Sequence, residues 1–483
     1  MKKINSEFWQ RAFLAFTVGL FLSCAARVSQ GQGIDRTKKP ASAAPVALRI
    51  PAIQMRALKN GIKVAVLEQH ELPVVAVRVV VDAAPTLDPA GKEGVSALTA
   101  AMLAEGTTTR TADQLAEAFA DLGNRVTPTG FTTITANVDS SMVLLADMLL
   151  HPAFPAASLE RLRQNNLATL KRNMDQPSYL ARRVFMNTVW GSGHPYERAI
   201  SEASLNAITR DDLVAFHGRY YRPQNVKFVV SGDVTPAAAV AMIEKAFGKW
   251  PAGGFKARYT IPKAKGAAPG TIYLYDRPNS TQSVLVVGGV GPARNTPDYY
   301  AIDVMNTALG GAFSSRLNLN LRETHSFTYG AGSIFSYRLT PQLGEYYATS
   351  QVQTPKTDSA LVEMVRELRE IRGTRPLTTE EVTFARSSAV KSLPLSFETV
   401  DQIASAGVNV LREGLPLNYY NTLSARYRGV TAAQANAAAK KYVDPSHAAI
   451  VVVGDRKQIE AGLRAAGLGP VVVVDETGKP VTK

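Results

Sequence analysis

Alternation of apolar and polar residues begins near Leu58 and predicts two strands, over residues 59–69 (KNGIKVAVLEQ) and 73–83 (PVVAVRVVVDA). They are separated by the turn-like His70-Glu71-Leu72-Pro73 and read as neighbours joined by a hairpin. The period then changes from two to about 3.6 and predicts helices over 94–104, 112–123, 157–175 and 210–220. Residues 208–233 (ITRDDLVAFHGRYYRPQNVKFVVSGD) superpose without a gap on residues 430–455 (VTAAQANAAAKKYVDPSHAAIVVVGD). Thr209 meets Thr431, Tyr220 meets Tyr442, Pro223 meets Pro445 and Gly232-Asp233 meets Gly454-Asp455. Each copy reads as a helix ending at the Tyr, a Pro turn, and an apolar strand stopping at Gly-Asp. Residues 61–83 find a weaker echo in 270–292.

This repetition predicts an α+β protein of two homologous halves, each a mainly antiparallel sheet with helices packed on one face. The halves are placed at 48–255 and 270–475, joined by a Gly-, Pro- and Lys-rich linker at 256–269.

With 483 residues, 46% of them hydrophobic and 19% charged, the chain is globular and too long for one ordinary core. Lys2, Lys3 and Arg11 precede an apolar run from Ala12 to Leu22, the outline of an export signal over 1–24 that is too short to span a bilayer comfortably. Residues 25–47 read as a flexible tether. Cys24, the one cysteine, ends the run Leu20-Phe21-Leu22-Ser23-Cys24 and offers a lipid-anchor site; the other reading is an ordinary signal cut after Ala26. Both place the chain in the bacterial periplasm, either soluble or anchored to the periplasmic membrane face. The net charge of +14 comes from scattered residues with no nucleic-acid motif, which favours a solubilising surface over a nucleic-acid partner.

Residues 94–107 (GVSALTAAMLAEGT) resemble the active-site helix of pitrilysin/insulinase-like zinc peptidases, Gly-x-x-His-x-x-Glu-His-Met-Leu-x-x-Gly-Thr. The match is anchored on Gly94, Met102, Leu103, Gly106 and Thr107. Arg-Tyr-Tyr-Arg-Pro-x-Asn at 219–225 adds to it, and the processing-peptidase-like branch is the nearest in outline. The resemblance puts the family's first His on Ala97, its general base on Ala100 and its second His on Ala101. Its third zinc ligand falls near Ala168 or Thr169, and no carboxylate occurs between Glu160 and Asp175. No metal site is therefore expected in this chain.

Residues 309–330 (LGGAFSSRLNLNLRETHSFTYG) resemble the family stretch that carries an Arg and a Tyr seven residues apart, here Arg322 and Tyr329. In the family this pair contacts the substrate carbonyl and the oxyanion. Together these resemblances imply the zinc-less subunit of a heteromeric peptidase, whose zinc-bearing partner supplies metal and general base for cleaving a peptide substrate. The alternative is a catalytically inactive scaffold or peptide-binding module. His194-Pro195-Tyr196-Glu197-Arg198 has the start of a zinc motif, but Arg198 cannot ligate and Pro195 opposes a helix interior. His217 is expected to be a packed or surface histidine, Arg316 to be structural, and His325 to have no role.

Overall fold

The computed structural model describes residues 50–125, 127–258, 260–338 and 342–481. The segments read as export signal and tether, with Cys24, lie outside the described residues.

Two sheets organise the fold. The first has the order β1-β2-β5-β3-β4, built from Gln54–Ala57, Lys63–Glu68, Val226–Gly232, Val74–Val81 and Gly130–Ile134. The second has the order β11-β6-β10-β7-β9-β8, built from Val471–Val474, Ile272–Asp276, Ala449–Gly454, Gln282–Ala293, Leu343–Gln353 and Thr328–Ser336. The same pattern occurs in both: β2 and β5 pair in parallel, β5 with β3 and β3 with β4 antiparallel. Likewise β6 and β10 are parallel, while β10–β7 and β7–β9 are antiparallel. The chain is thus an α+β fold of two similar halves.

One sequence expectation is corrected. β2 and β3 do not form a hairpin, because β5 lies hydrogen-bonded between them, as β10 lies between β6 and β7. The reason is burial. β5 buries six of its seven residues and β10 all six, so each is most stable at the centre of a sheet. The connection 69–73 has only to step over one strand, about 10 Å between next-nearest neighbours.

Both faces of each sheet are covered, and one cover is exchanged between the halves. On the first sheet, Val64, Val66, Val75, Val77, Phe228 and Val230 face that half's own helices. Ala65, Leu67 and Val229 face the other way and join the core of the second half, under the helix Val400–Glu413. On the second sheet, Val284, Val286, Val451 and Val453 pack against Leu180, Val184, Phe185 and Trp190, which lie on the helix Pro177–Trp190 of the first half. Each helix has 14 residues, and each stops at a glycine of positive φ, Gly191 at 88° and Gly414 at 64°.

Ion pairs fix both exchanges. Arg78, the charge that interrupts the apolar run of β3, pairs with Asp401 on the arriving helix. Its Nη1 also donates to the carbonyls of Val77 and Phe131, each at 2.8 Å. In the other half Arg182 pairs with the buried Glu345 of β9. Gly407 lets the first crossing close: a Cβ there would stand 2.7 Å from Val229 Cγ1 and 2.9 Å from Leu67 Cδ1.

Candidate functional site

The alanine-bearing segment is a helix, Val95–Met102, that starts at Gly94 with φ 108°. Asp88 satisfies its first turn by accepting from the N–H groups of Gly94 (2.7 Å) and Ser96 (3.1 Å). Burial pushes the Asp88 carboxyl above its ordinary pKa, against those two bonds and the Arg198 charge, which pull it down. Val95, Leu98, Thr99 and Met102 turn inward. Ala97 and Ala101, four residues apart, are therefore exposed on one face, with Ala100 half-buried beside them.

On the helix Ala156–Met174, Ala168 and Thr169 are exposed, and the Thr169 hydroxyl donates to the Asn165 carbonyl at 2.8 Å. The four alanines offer zinc no lone pair, and the Thr169 hydroxyl is not among the Cys, His and carboxylate ligands that zinc takes, so the residues at these five positions do not fit the metal of a zinc peptidase. Among the described residues no group of three or more His, Cys, Asp or Glu could hold a metal ion.

The histidines have other work. His194 sits in a turn, stacked on Trp190 at 4.8 Å; its Nδ1 accepts from the Tyr196 N–H and its Nε2–H donates to the Pro262 carbonyl. His217 stacks on Tyr221 at 4.6 Å and donates from Nε2 to the Leu149 carbonyl at 3.0 Å. Burial pushes its pKa down to about 4, that bond notwithstanding, so it is neutral at pH 7. His325 stacks on Phe327 at 4.9 Å.

Arg322 and Tyr329 stand elsewhere, on the second half. A helical segment over 316–324 leads into β8 through Ser326, whose φ of 54° is left-handed. The Ser326 N–H donates to the Arg322 carbonyl and the Phe327 N–H to that of Leu321, closing the turn. The register of β8 on β9 slips between Thr328 and Ala331, and this irregularity aims Tyr329 outward at 91% exposure. The Arg322 guanidinium lies 4.5 Å over the Phe313 ring, with Nε 3.5 Å from Glu323 Oε1.

The platform beneath the pair is rigid. Arg316 is buried and holds Glu381 through two bonds, Nε at 2.6 Å and Nη2 at 2.7 Å. Asn318 Oδ1 accepts from the Ala331 N–H, and Asn306 Nδ2 donates to the Ser333 carbonyl. Gly310 lies so close to β8 that a Cβ there would stand 2.2 Å from the Ser333 nitrogen.

Two adjoining cavities, of about 550 and 500 Å³, lie beside the alanine helix. Their opposite wall is the exchanged helix Val400–Glu413, whose Asn409 and Arg412 line both. Neither Arg322 nor Tyr329 lines them. Asn409 and Arg412 carry no motif in the sequence, and only the helix exchange brings them opposite Ala97 and Ala100. A polar stripe of Ser405, Asn409 and Arg412 at spacings of four and three, opposite the buried Ile403, Ala406 and Val410, is the one signal the helix offers.

Comparison with known proteins agrees with this fold. A family model described as insulinase (peptidase family M16) matches residues 63–202, and one described as the peptidase M16 inactive domain matches residues 207–388. The chain belongs to the insulinase, or M16, peptidase family. An uncharacterized zinc protease of Mycobacterium leprae is 25% identical over 440 residues, 88% of this chain and 93% of that protein. The crystal structure of a peptidase M16 inactive domain from Pseudomonas fluorescens superposes with a TM-score of 0.75 at 27% identity, over 83% of this chain and 98% of that one. The first half of the periplasmic protease PqqL of Escherichia coli shares the fold, with a TM-score of 0.67 at 15% identity over 87% of this chain and 98% of that one. The present chain is thus a peptidase-like member of an M16 metallopeptidase family. No helix among its described residues is long and apolar enough to cross a membrane.

Proposed function

We propose that this M16 chain is the zinc-less subunit of an exported heteromeric peptidase, and that it lends Arg322 and Tyr329 to the site of a zinc-bearing partner. One contrast carries the reading. The helix that would hold the metal presents Ala97, Ala100 and Ala101, while Tyr329 is thrust outward from a braced edge strand into which the Arg322-bearing helical segment leads. The 91% exposure of Tyr329 in the isolated chain supports this reading, because it leaves the phenol open to a second molecule.

The partner's zinc and general base would supply an activated water. Arg322 would orient the carbonyl of the scissile peptide, and the Tyr329 phenol would donate to the oxygen as it becomes an oxyanion. Such a donor strengthens its bond as charge develops, so it lowers the barrier more than it tightens binding.

The test mixes this chain with a zinc-bearing M16 partner. The isolated chain is expected to bind no zinc and cleave nothing; the mixture is expected to cleave peptides. Tyr329→Phe should lower kcat about 10²–10³-fold with assembly intact. If Tyr329→Phe and Arg322→Ala leave proteolysis and assembly untouched, the scaffold reading replaces this one. Full activity of the partner alone would also refute it.

A further inference from the structure

The cavity of about 500 Å³ between the alanine helix and the exchanged helix has an imbalance of charge partners. Its three carboxylates are committed. Asp88 accepts from two backbone N–H groups, Glu93 accepts from the Gly91 N–H at 3.0 Å, and Glu413 pairs with Arg294 at 2.8 Å. The group left over is a donor. Arg412 is exposed at the rim and has no hydrogen bond or ion pair among the described residues. Arg198 is committed as well, its Nη1 lying 3.9 Å from Glu93 Oε1 and 3.2 Å from the Asp88 carbonyl, while its Nε and the Tyr337 hydroxyl are sealed in the wall with no partner among the described residues.

A guanidinium facing a cavity favours an anion with paired oxygens. We propose that this cavity binds the carboxylate of a peptide, its C-terminal one, with Arg412 as the charge partner. The peptide identity follows from membership of a peptidase family together with a cavity large enough for a terminal residue or two. Ala97 lines this cavity with a methyl group in place of an acceptor, and Ala100 does the same in the adjoining one. The assignment concerns the isolated chain and needs no partner subunit, so it stands or falls separately from the role of Arg322 and Tyr329.

Calorimetric titration of the full chain with N-acetyl-tetraalanine tests it in four arms: the free acid, the C-terminal amide, an amide carrying one internal Glu, and inorganic phosphate. The free acid is expected to bind at least about tenfold more tightly than the plain amide, and Arg412→Gln to remove that preference. Arg412→Lys should restore part of it, because charge is kept but the planar fork is lost. Since Arg412 is exposed, the denaturation midpoint should be unchanged in both variants. Equal binding of acid and amide, or an acid preference that survives Arg412→Gln, overturns the proposal. Tighter binding of the Glu-bearing amide than of the acid would move the site to acidic side chains, and phosphate binding as tight as the acid would make it a general anion site; either result overturns the terminal-carboxylate assignment.

Discussion

The two exchanged helices are equal in length and end alike, yet they do different work. Aligned on their terminal glycines, Val184 of the first corresponds to Gly407 of the second, and Val189-Trp190 to Arg412-Glu413. The first seals a sheet: Val184, Phe185, Val189 and Trp190 are all buried. The second lies close over its sheet at Gly407 and then ends in two charges beside the alanine helix. One duplicated element has become a plug in one half and the wall of a cleft in the other. The difference lies in a few terminal side chains, with the backbone plan conserved between the copies.

The largest effect expected from this contrast is at Phe185, which is fully buried and 5.5 Å from the Tyr347 ring. Phe185→Ala should cost about 3–5 kcal/mol of unfolding free energy, read from urea denaturation. The aligned position in the other helix is Val408, which is only half-buried, and Val408→Ala should cost clearly less, about 1 kcal/mol. Equal losses would show that both helices act as plugs, and the comparison would fail.

The histidine in the duplicated segment 208–233 sharpens the contrast in a different way. His217 is matched in the second copy by the buried Ala439. Its folded pKa is about 4 against an ordinary 6.5, so the unfolded chain takes up a proton that the folded chain refuses. The stability His217 confers is therefore complete above pH 6.5 and is lost as pH falls toward 4, about 3 kcal/mol in all. His217→Gln keeps a donor for the Leu149 carbonyl but cannot titrate. Its stability should decline less than that of the parent between pH 7 and pH 4. Parallel curves would mean that His217 is protonated in the fold.

Much of this architecture is legible in the chain, because helix and strand periods and a gapless repeat are local signals. Helices expected at 112–123, 157–175 and 210–220 lie at Ala112–Asp121, Ala156–Met174 and Arg210–Tyr220. The insertion of β5 between β2 and β3 was not legible, since pairing is decided by burial across more than 140 residues of intervening chain. The helix exchange was hidden for a related reason. An amphipathic helix shows which face is apolar but not which sheet will cover it. Arg412 could be identified with the cleft only after that choice was known. Ala97, Ala100 and Ala101 could be placed from sequence because a helix fixes its own faces, and Tyr329 owes its exposure to a register slip that no motif encodes.

The smallest effect separates the two copies at their helix starts. Thr209 and Thr431 both close capping boxes: Thr209 Oγ1 accepts from the Asp212 N–H at 3.3 Å, and Thr431 Oγ1 from the Gln434 N–H at 3.2 Å. Removing either cap should cost about 1 kcal/mol. The partners differ, however. Asp212 brings a negative charge to a helix N-terminus and also pairs with Lys92 at 2.5 Å, whereas Gln434 is neutral. Thr209→Ala frees the carboxylate from the helix it caps and loosens its hold on Lys92, so it should cost a few tenths of a kcal/mol more than Thr431→Ala. Lys92 lies just before the alanine helix, so this cap also steadies the entry to the cleft. Repeating both substitutions in the background of Lys92→Met should bring the two losses together; a gap that persists there would place the difference in the helix dipole alone.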